Sequence, residues 1–133
     1  MFHWVLVFLL GAASGSMIEH VYHALKRLPP IRGLFHPIPL KPIYGLGAIL
    51  AALVAPPLRL LPLPLEWLAL SVLLGAYEIA GGVISERFLK RRLWKYEPSF
   101  LNVRGYSDAF HAGAWGALGL TFAYYLDPVL AMF

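Results

Sequence analysis

Cysteine is absent from this sequence. That removes disulfides, thiolate metal sites and a cysteine nucleophile together, and it leaves the redox compartment open. Charge is scarce as well. Only 14% of the 133 residues are Asp, Glu, Lys or Arg, where an ordinary soluble domain carries about a quarter. No G-x-x-x-x-G-K-[ST] run is present, so the chain holds no nucleotide-driven motor of that kind. H-E-x-x-H and G-x-S-x-G are missing too, which argues against a zinc hydrolase helix and against a serine nucleophile elbow. Residues 1–10 carry no basic start and their apolar run continues through 11–17, so we read them as part of a first span and not as a cleaved signal.

What is present is apolar: 59% hydrophobic residues, with a mean hydropathy of +0.67. The expectation is one domain with lipid as its solvent, an all-α integral membrane protein of four transmembrane helices. The spans fall at about 2–25, 43–59, 65–88 and 108–126. The second is awkward, because Pro56-Pro57 leave about 13 uninterrupted residues where a crossing needs about 20. Between the first two lies an irregular link with Pro29, Pro30, Pro37, Pro39 and Pro42, expected at the membrane surface. Gly11, Gly15, Glu19 and His23 share one face of the first helix, a face for a neighbouring helix and not for lipid. Gly113, Gly116 and Gly119 prepare the fourth helix for close packing, and such faces also suit a homodimer.

Net charge is +4, yet nucleic acid is not the implied partner. Every lysine and arginine except Arg59 falls in one of two inter-helix segments, and no soluble face offers base-reading groups. The basic segments mark the cytoplasmic side by the positive-inside rule, placing both termini outside and the protein in the cell membrane as a multi-pass chain. Arg87, Lys90, Arg91, Arg92 and Lys95 are the candidate contacts for anionic lipid headgroups, and Trp94 and Tyr96 suit the interface beside them.

The halves echo each other. Residues 15–20 can be laid on 81–87 with a one-residue slip, Arg32-Gly33 on Arg104-Gly105, and the helix opening at Tyr44-Gly45 on Trp115-Gly116. Such a repeat would be two parallel hairpins, making Glu19 and Glu86 counterparts.

Glu78 is the sharpest polar signal. A charged carboxylate facing lipid near mid-bilayer costs about 2.5–3.5 kcal/mol, so it must face protein or water, or be protonated. The functional reading is an ion or substrate path through Glu78, with Glu19, Glu86, Tyr44 and Trp115 along it. Arg32, Arg104, Asp108 and Asn102 would form a gate or salt-bridge clamp. The plainer reading makes these acids structural partners of the basic loops, for instance Glu19 with Arg104 and Glu86 with Arg32. His23 and His111 are weak metal candidates, since helical spacing does not gather the histidines; no cofactor is implied. Asp108 and His111 share a helix face, but no nucleophile completes a catalytic set, so an enzyme is not the expected class.

Together these residues resemble a known family. Glu19, Arg32-Gly33-Leu34, the run from Pro42 to Ala48, Tyr77-Glu78, Gly81-Gly82, Glu86, Trp94-x-Tyr96, Asn102-x-x-Gly105 and Trp115-Gly116 resemble the CmpB-like family, "Putative ABC-transporter type IV", over most of the chain. Residues 36–41 depart from its usual shorter Gly-Pro approach, and His23 and His111 look peculiar to this chain. The resemblance implies a transport-associated membrane subunit beside a transporter partner. The expected function is thus movement, or assistance to a partner's movement, of a small solute or ion. The alternatives are a non-transporting scaffold whose basic loops hold lipids or a partner, and a small intramembrane enzyme.

Overall fold

The structure, a computed structural model, describes residues 2–26 and 41–132. Among these it is all-helical with no strand: α1 (Phe2–Leu25), α2 (Pro42–Leu58), α3 (Leu63–Leu89) and α4 (Ala109–Thr121), the last prolonged by a π turn (Phe122–Leu126) and a short α5 (Asp127–Leu130). Two helices, α1 with 24 residues and α3 with 27, are long and apolar enough to cross a membrane. The residues of Arg32 and most of the proline-rich link lie outside the described part.

Proline sets several boundaries. Lys41 is extended because it precedes Pro42, and Pro42 then opens α2, where a missing N–H is harmless. Pro56 and Pro57 interrupt the apolar run without stopping α2 at Ala55; the helix runs on to Leu58, close to the expected end at 59. Both prolines fall in its last turn, and the Arg59 N–H donates to Ala55 O to close it. Pro128 acts differently. It has no N–H for the turn before it, and the helix widens there, with Asp127 N–H donating to Phe122 O. That leaves the Ala123 carbonyl without a main-chain donor, and Arg59 Nη2 donates to it at 2.9 Å.

Helix α1 packs along α2, α3 packs along α4, and α2 joins the two pairs. Glycine permits both close pairings. A Cβ at Gly11 would lie 2.4 Å from Ala48 Cβ and 3.3 Å from Gly45 Cα, so the glycine face of α1 meets α2 as its spacing suggests. On α4, a Cβ at Gly116 would lie 2.1 Å from Ser71 Oγ and 2.9 Å from Trp67 O. Helix α1 reaches the second pair near its ends. Val7 packs with Phe122 and Leu130 at one end, and the Tyr22 and His111 rings meet edge-on, centroids 6.3 Å apart, at the other.

Two substitutions separate essential from tolerant glycines. Gly116→Ala should lower thermal stability in detergent by about 1–3 kcal/mol, because backbone atoms would have to move. Gly81→Ala meets only the tip of Ile43, at 2.9 Å, and should shift stability far less. Equal melting of both variants would show that α3 and α4 are not held this closely.

Candidate functional site

Every glutamate except Glu97 receives a tyrosine hydroxyl. Tyr44 donates to Glu19, Tyr96 to Glu78 at 2.5 Å, Tyr106 to Glu86 and Tyr124 to Glu66 at 2.8 Å. Each of these tyrosine rings also carries a cation or an imidazole. Lys41 Nζ lies 6.0 Å from the Tyr44 ring, Arg92 4.4 Å from Tyr106 and Arg59 4.6 Å from Tyr124. His111 stacks on Tyr96 with centroids 3.6 Å apart. The carboxylate thus gains a charge-assisted hydrogen bond, and at Tyr44, Tyr106 and Tyr124 the ring's negative face gains a positive neighbour.

Two of these units are built alike. Tyr44 lies on Gly15, where a Cβ would come within 2.5 Å of its ring, and reaches Glu19 one helical turn further. Tyr106 lies on Gly82, where a Cβ would come within 2.4 Å, and reaches Glu86 one turn further. Lys41 closes on Glu19 at 2.7 Å and Arg92 on Glu86 at 3.0 Å. The counterpart of Tyr44 in this comparison is Tyr106 and not Trp115, and Gly15 matches Gly82 without a slip. The expected pairing of Glu19 with Arg104 gives way to these closer partners. Arg104 instead offers its carbonyl to Arg92 Nη1 at 2.8 Å, from a left-handed backbone position. Arg32, the expected partner of Glu86, lies outside the described residues.

The segment between α3 and α4 turns inward. Trp94 and Tyr96, expected at the interface, instead face the protein. Trp94 Nε1 donates to Tyr106 O at 2.9 Å while Tyr96 reaches Glu78. Asn102 holds the turn by accepting from Gly105 N–H at 2.7 Å and donating to Glu97 O, so its role is local and not that of a clamp. Arg92 is committed to Glu86 and the Arg104 carbonyl, while Arg87, Lys90, Arg91, Lys95 and Arg104 are exposed bases on and beside this segment.

Glu78 is 3% exposed. Its Oε1 accepts from Tyr96, and Ser107 and Trp115 lie near the carboxyl group, but Oε2 closes no hydrogen bond of good geometry; Ser107 Oγ is likewise unpaired. Glu78 stands where two spaces meet. One is a small polar crevice shared with Glu19, Lys41, Tyr44, Tyr96 and Trp115. The other is a cavity of about 170 Å³ between α1 and α4, floored by α2 and α3 and lined mainly by apolar side chains. Glu19, Tyr44, Glu78 and Trp115 therefore come together, and the Tyr44 and Trp115 rings lie 5.0 Å apart. Glu86 belongs to a separate unit at the end of α3.

Asp108 caps α4. It accepts from the His111 N–H and from His111 Nδ1, both at 2.8 Å, and from Ser99 Oγ at 2.6 Å. Burial acts to raise its carboxyl, but the bonds from His111 and Ser99 outweigh that and hold it below the usual carboxylate range. Burial, followed by the Glu78 charge and hydrogen bond, pushes the Tyr96 phenol up, so it remains a donor. Among the described residues no group of three or more His, Asp or Glu gathers as a metal site, and His111 is occupied by Asp108 and Tyr96.

The sequence pointed to neither Lys41, Tyr106 and Tyr124 as partners nor Glu66 as a buried acid. Glu66 is 1% exposed. The spacing Gly-x-x-x-Glu at 15–19 and 82–86 was the visible trace of two of the four units.

Chemically, then, this is a small α-helical membrane protein whose buried glutamates, Glu66 and Glu78, are held by tyrosine hydroxyls. Residues 6–133 match the family model described as "Putative ABC-transporter type IV", ABC_trans_CmpB, and the chain belongs to that family. No curated protein and no solved structure matches it. The family description associates the chain with ABC-type transport.

Loss of the cap gives a clean test of the loop geometry. Asp108→Ala should cost about 1 kcal/mol of stability at neutral pH, and Asp108→Asn less, because Asn also caps helices. A carboxyl depressed on folding stabilises above its unfolded value, about 3.9, and ceases to do so as pH falls through the lower folded value. The gap between wild type and Asp108→Ala in thermal melts should therefore close below about pH 4. A gap that persists in acid would assign the loss to something other than the carboxylate.

Proposed function

We propose that this protein crosses the cell membrane four times and moves a small solute or ion, or helps an ABC-type partner move it, with Glu78 in the path. The observation that carries the reading is the buried Glu78 carboxylate with one oxygen unpaired, set between a polar crevice and an apolar cavity. Glu66 Oε1 is also buried and unpaired, but Glu66 lines neither space, so it is the position of Glu78 that singles it out; an unmade bond there costs about 1–3 kcal/mol that a ligand can recover.

The charge distribution supports an orientation with both ends outside and the exposed bases Arg87, Lys90, Arg91 and Lys95 against anionic headgroups in the cytoplasmic leaflet. Helix α2, with 17 residues, spans about 25 Å at 1.5 Å per residue, and crosses only where the bilayer thins around it or its flanks snorkel. With no P-loop of its own, the chain would take energy from a partner subunit or from a gradient. A catalytic reading needs an acid free to activate a nucleophile, and the Asp108 oxygens are already committed to His111 and Ser99.

Glu78→Gln should reduce flux of the transported ion or solute in proteoliposomes at least tenfold, with unchanged melting. Tyr96→Phe, which removes the hydroxyl from Glu78, should alter the pH profile of that flux. Full flux in Glu78→Gln would take the residue out of the path. A wild type with no flux of any ion or solute, alone or with its partner, would favour the scaffold.

A further inference from the structure

The geometry points to an organic ammonium ion with a compact apolar body as the ligand class of the α1–α4 cavity, its charge on Glu78 and its body in the cleft; this rests on the transport reading above. The cavity opens sideways, since Ile18, Thr121 and Leu126 at its edge are exposed while α1 and α4 meet only near their ends. A ligand can therefore enter from the bilayer without first passing through water.

Its size follows from the volume. A cavity of about 150 Å³ accepts benzene, so about 170 Å³ takes a body on the order of one ring and not a diacyl lipid. Its charge follows from the single group at its end. Glu78 lines the space as its one charged residue, its Oε2 is buried and unpaired, and an unpaired carboxylate there is relieved most by a cation. The surroundings agree: Tyr44 and Trp115, rings 5.0 Å apart, flank the same end and offer faces that attract an ammonium carrying methyl groups. Metal ions fit poorly, because the walls supply few oxygen ligands beyond Glu78 itself. An organic anion would meet the carboxylate with like charge.

Phenyltrimethylammonium is a suitable probe, with tert-butylbenzene as its neutral isostere. Titration calorimetry on the purified chain in phosphatidylglycerol nanodiscs should give saturable binding of the cation, which tert-butylbenzene does not displace at equal concentration. Glu78→Gln should weaken that binding at least tenfold. Leu118→Phe, which extends a cavity-lining side chain into the space, should weaken it as much without touching the carboxylate. Thermal melts confirm that each variant is folded, and Leu118→Phe decides the question if Glu78→Gln is not.

Equal binding of the isostere, or undiminished affinity in both variants, overturns the proposal. A loss of affinity in phosphatidylcholine nanodiscs assigns the pocket to the lipid's own choline headgroup, which also overturns a free solute. Glu78-dependent binding without flux keeps the ligand class and removes transport. Glu78-dependent ion flux without binding of the probe does the reverse.

Discussion

A carboxylate placed among apolar helices needs a donor that reaches it without bringing water. For four of the five glutamates of this chain the donor is a tyrosine hydroxyl. The magnitudes are matched. A charged acid inside a membrane costs about 2.5–3.5 kcal/mol, and a hydrogen bond to a charged group returns about 1.5–3. A cation over the ring contributes about 0.5–2 more. The tyrosines come from different segments than the acids they hold, so satisfying the charge also fixes the fold. Tyr44 ties α2 to α1; Tyr96 and Tyr106 tie the segment after α3 back onto it; Tyr124 ties the π turn to the start of α3. Glycine is the other half of the device. Only without a Cβ at Gly15 and Gly82 can a ring lie flat on the helix and still reach the acid one turn away.

Much of this architecture was legible before any coordinates. Helix α1 and the limits of α3 follow from uninterrupted apolar runs, and the glycines on α1 and α4 mark the faces that pair. Glu78 stood out because its charge conflicts with its neighbours. What the sequence hid depends on distance in space. Glu19 has Arg104 as a plausible partner by charge, but Lys41 and Tyr44 reach it first. Trp94 and Tyr96 resemble interfacial anchors by composition, and only the backward course of their segment turns them inward. The continuation of α2 past Pro56-Pro57 agrees with the expected span of 43–59, because both prolines fall close to the helix end, where their cost is small. The Gly-x-x-x-Glu echo was visible, but its meaning lay in the tyrosine each copy receives.

Repetition stops at the candidate site. The units at Glu19 and Glu86 are alike, each with glycine, tyrosine and base, and both are closed. Glu78 has no such twin. Its tyrosine carries an imidazole in place of a lysine or arginine, and the imidazole is itself held by Asp108. Two such closed units frame Glu78, whose position between crevice and cavity agrees with the transport association of the family; Glu66 also keeps one buried oxygen unpaired, but it lines neither space.

The way α1 meets the second helix pair has a mechanical consequence. It is fastened like a shutter, by Val7 against Phe122 and Leu130, with His3 Nε2 3.0 Å from Asp127, at one end and by Tyr22 against His111 at the other. Its long side stays bound to α2 throughout. Among the described residues these end fastenings are what join α1 to the second pair by its ends, and none of the four tyrosine–glutamate bonds crosses from α1 to that pair. The contacts that aim the Glu78 carboxylate thus lie apart from those that hold this side of the aperture.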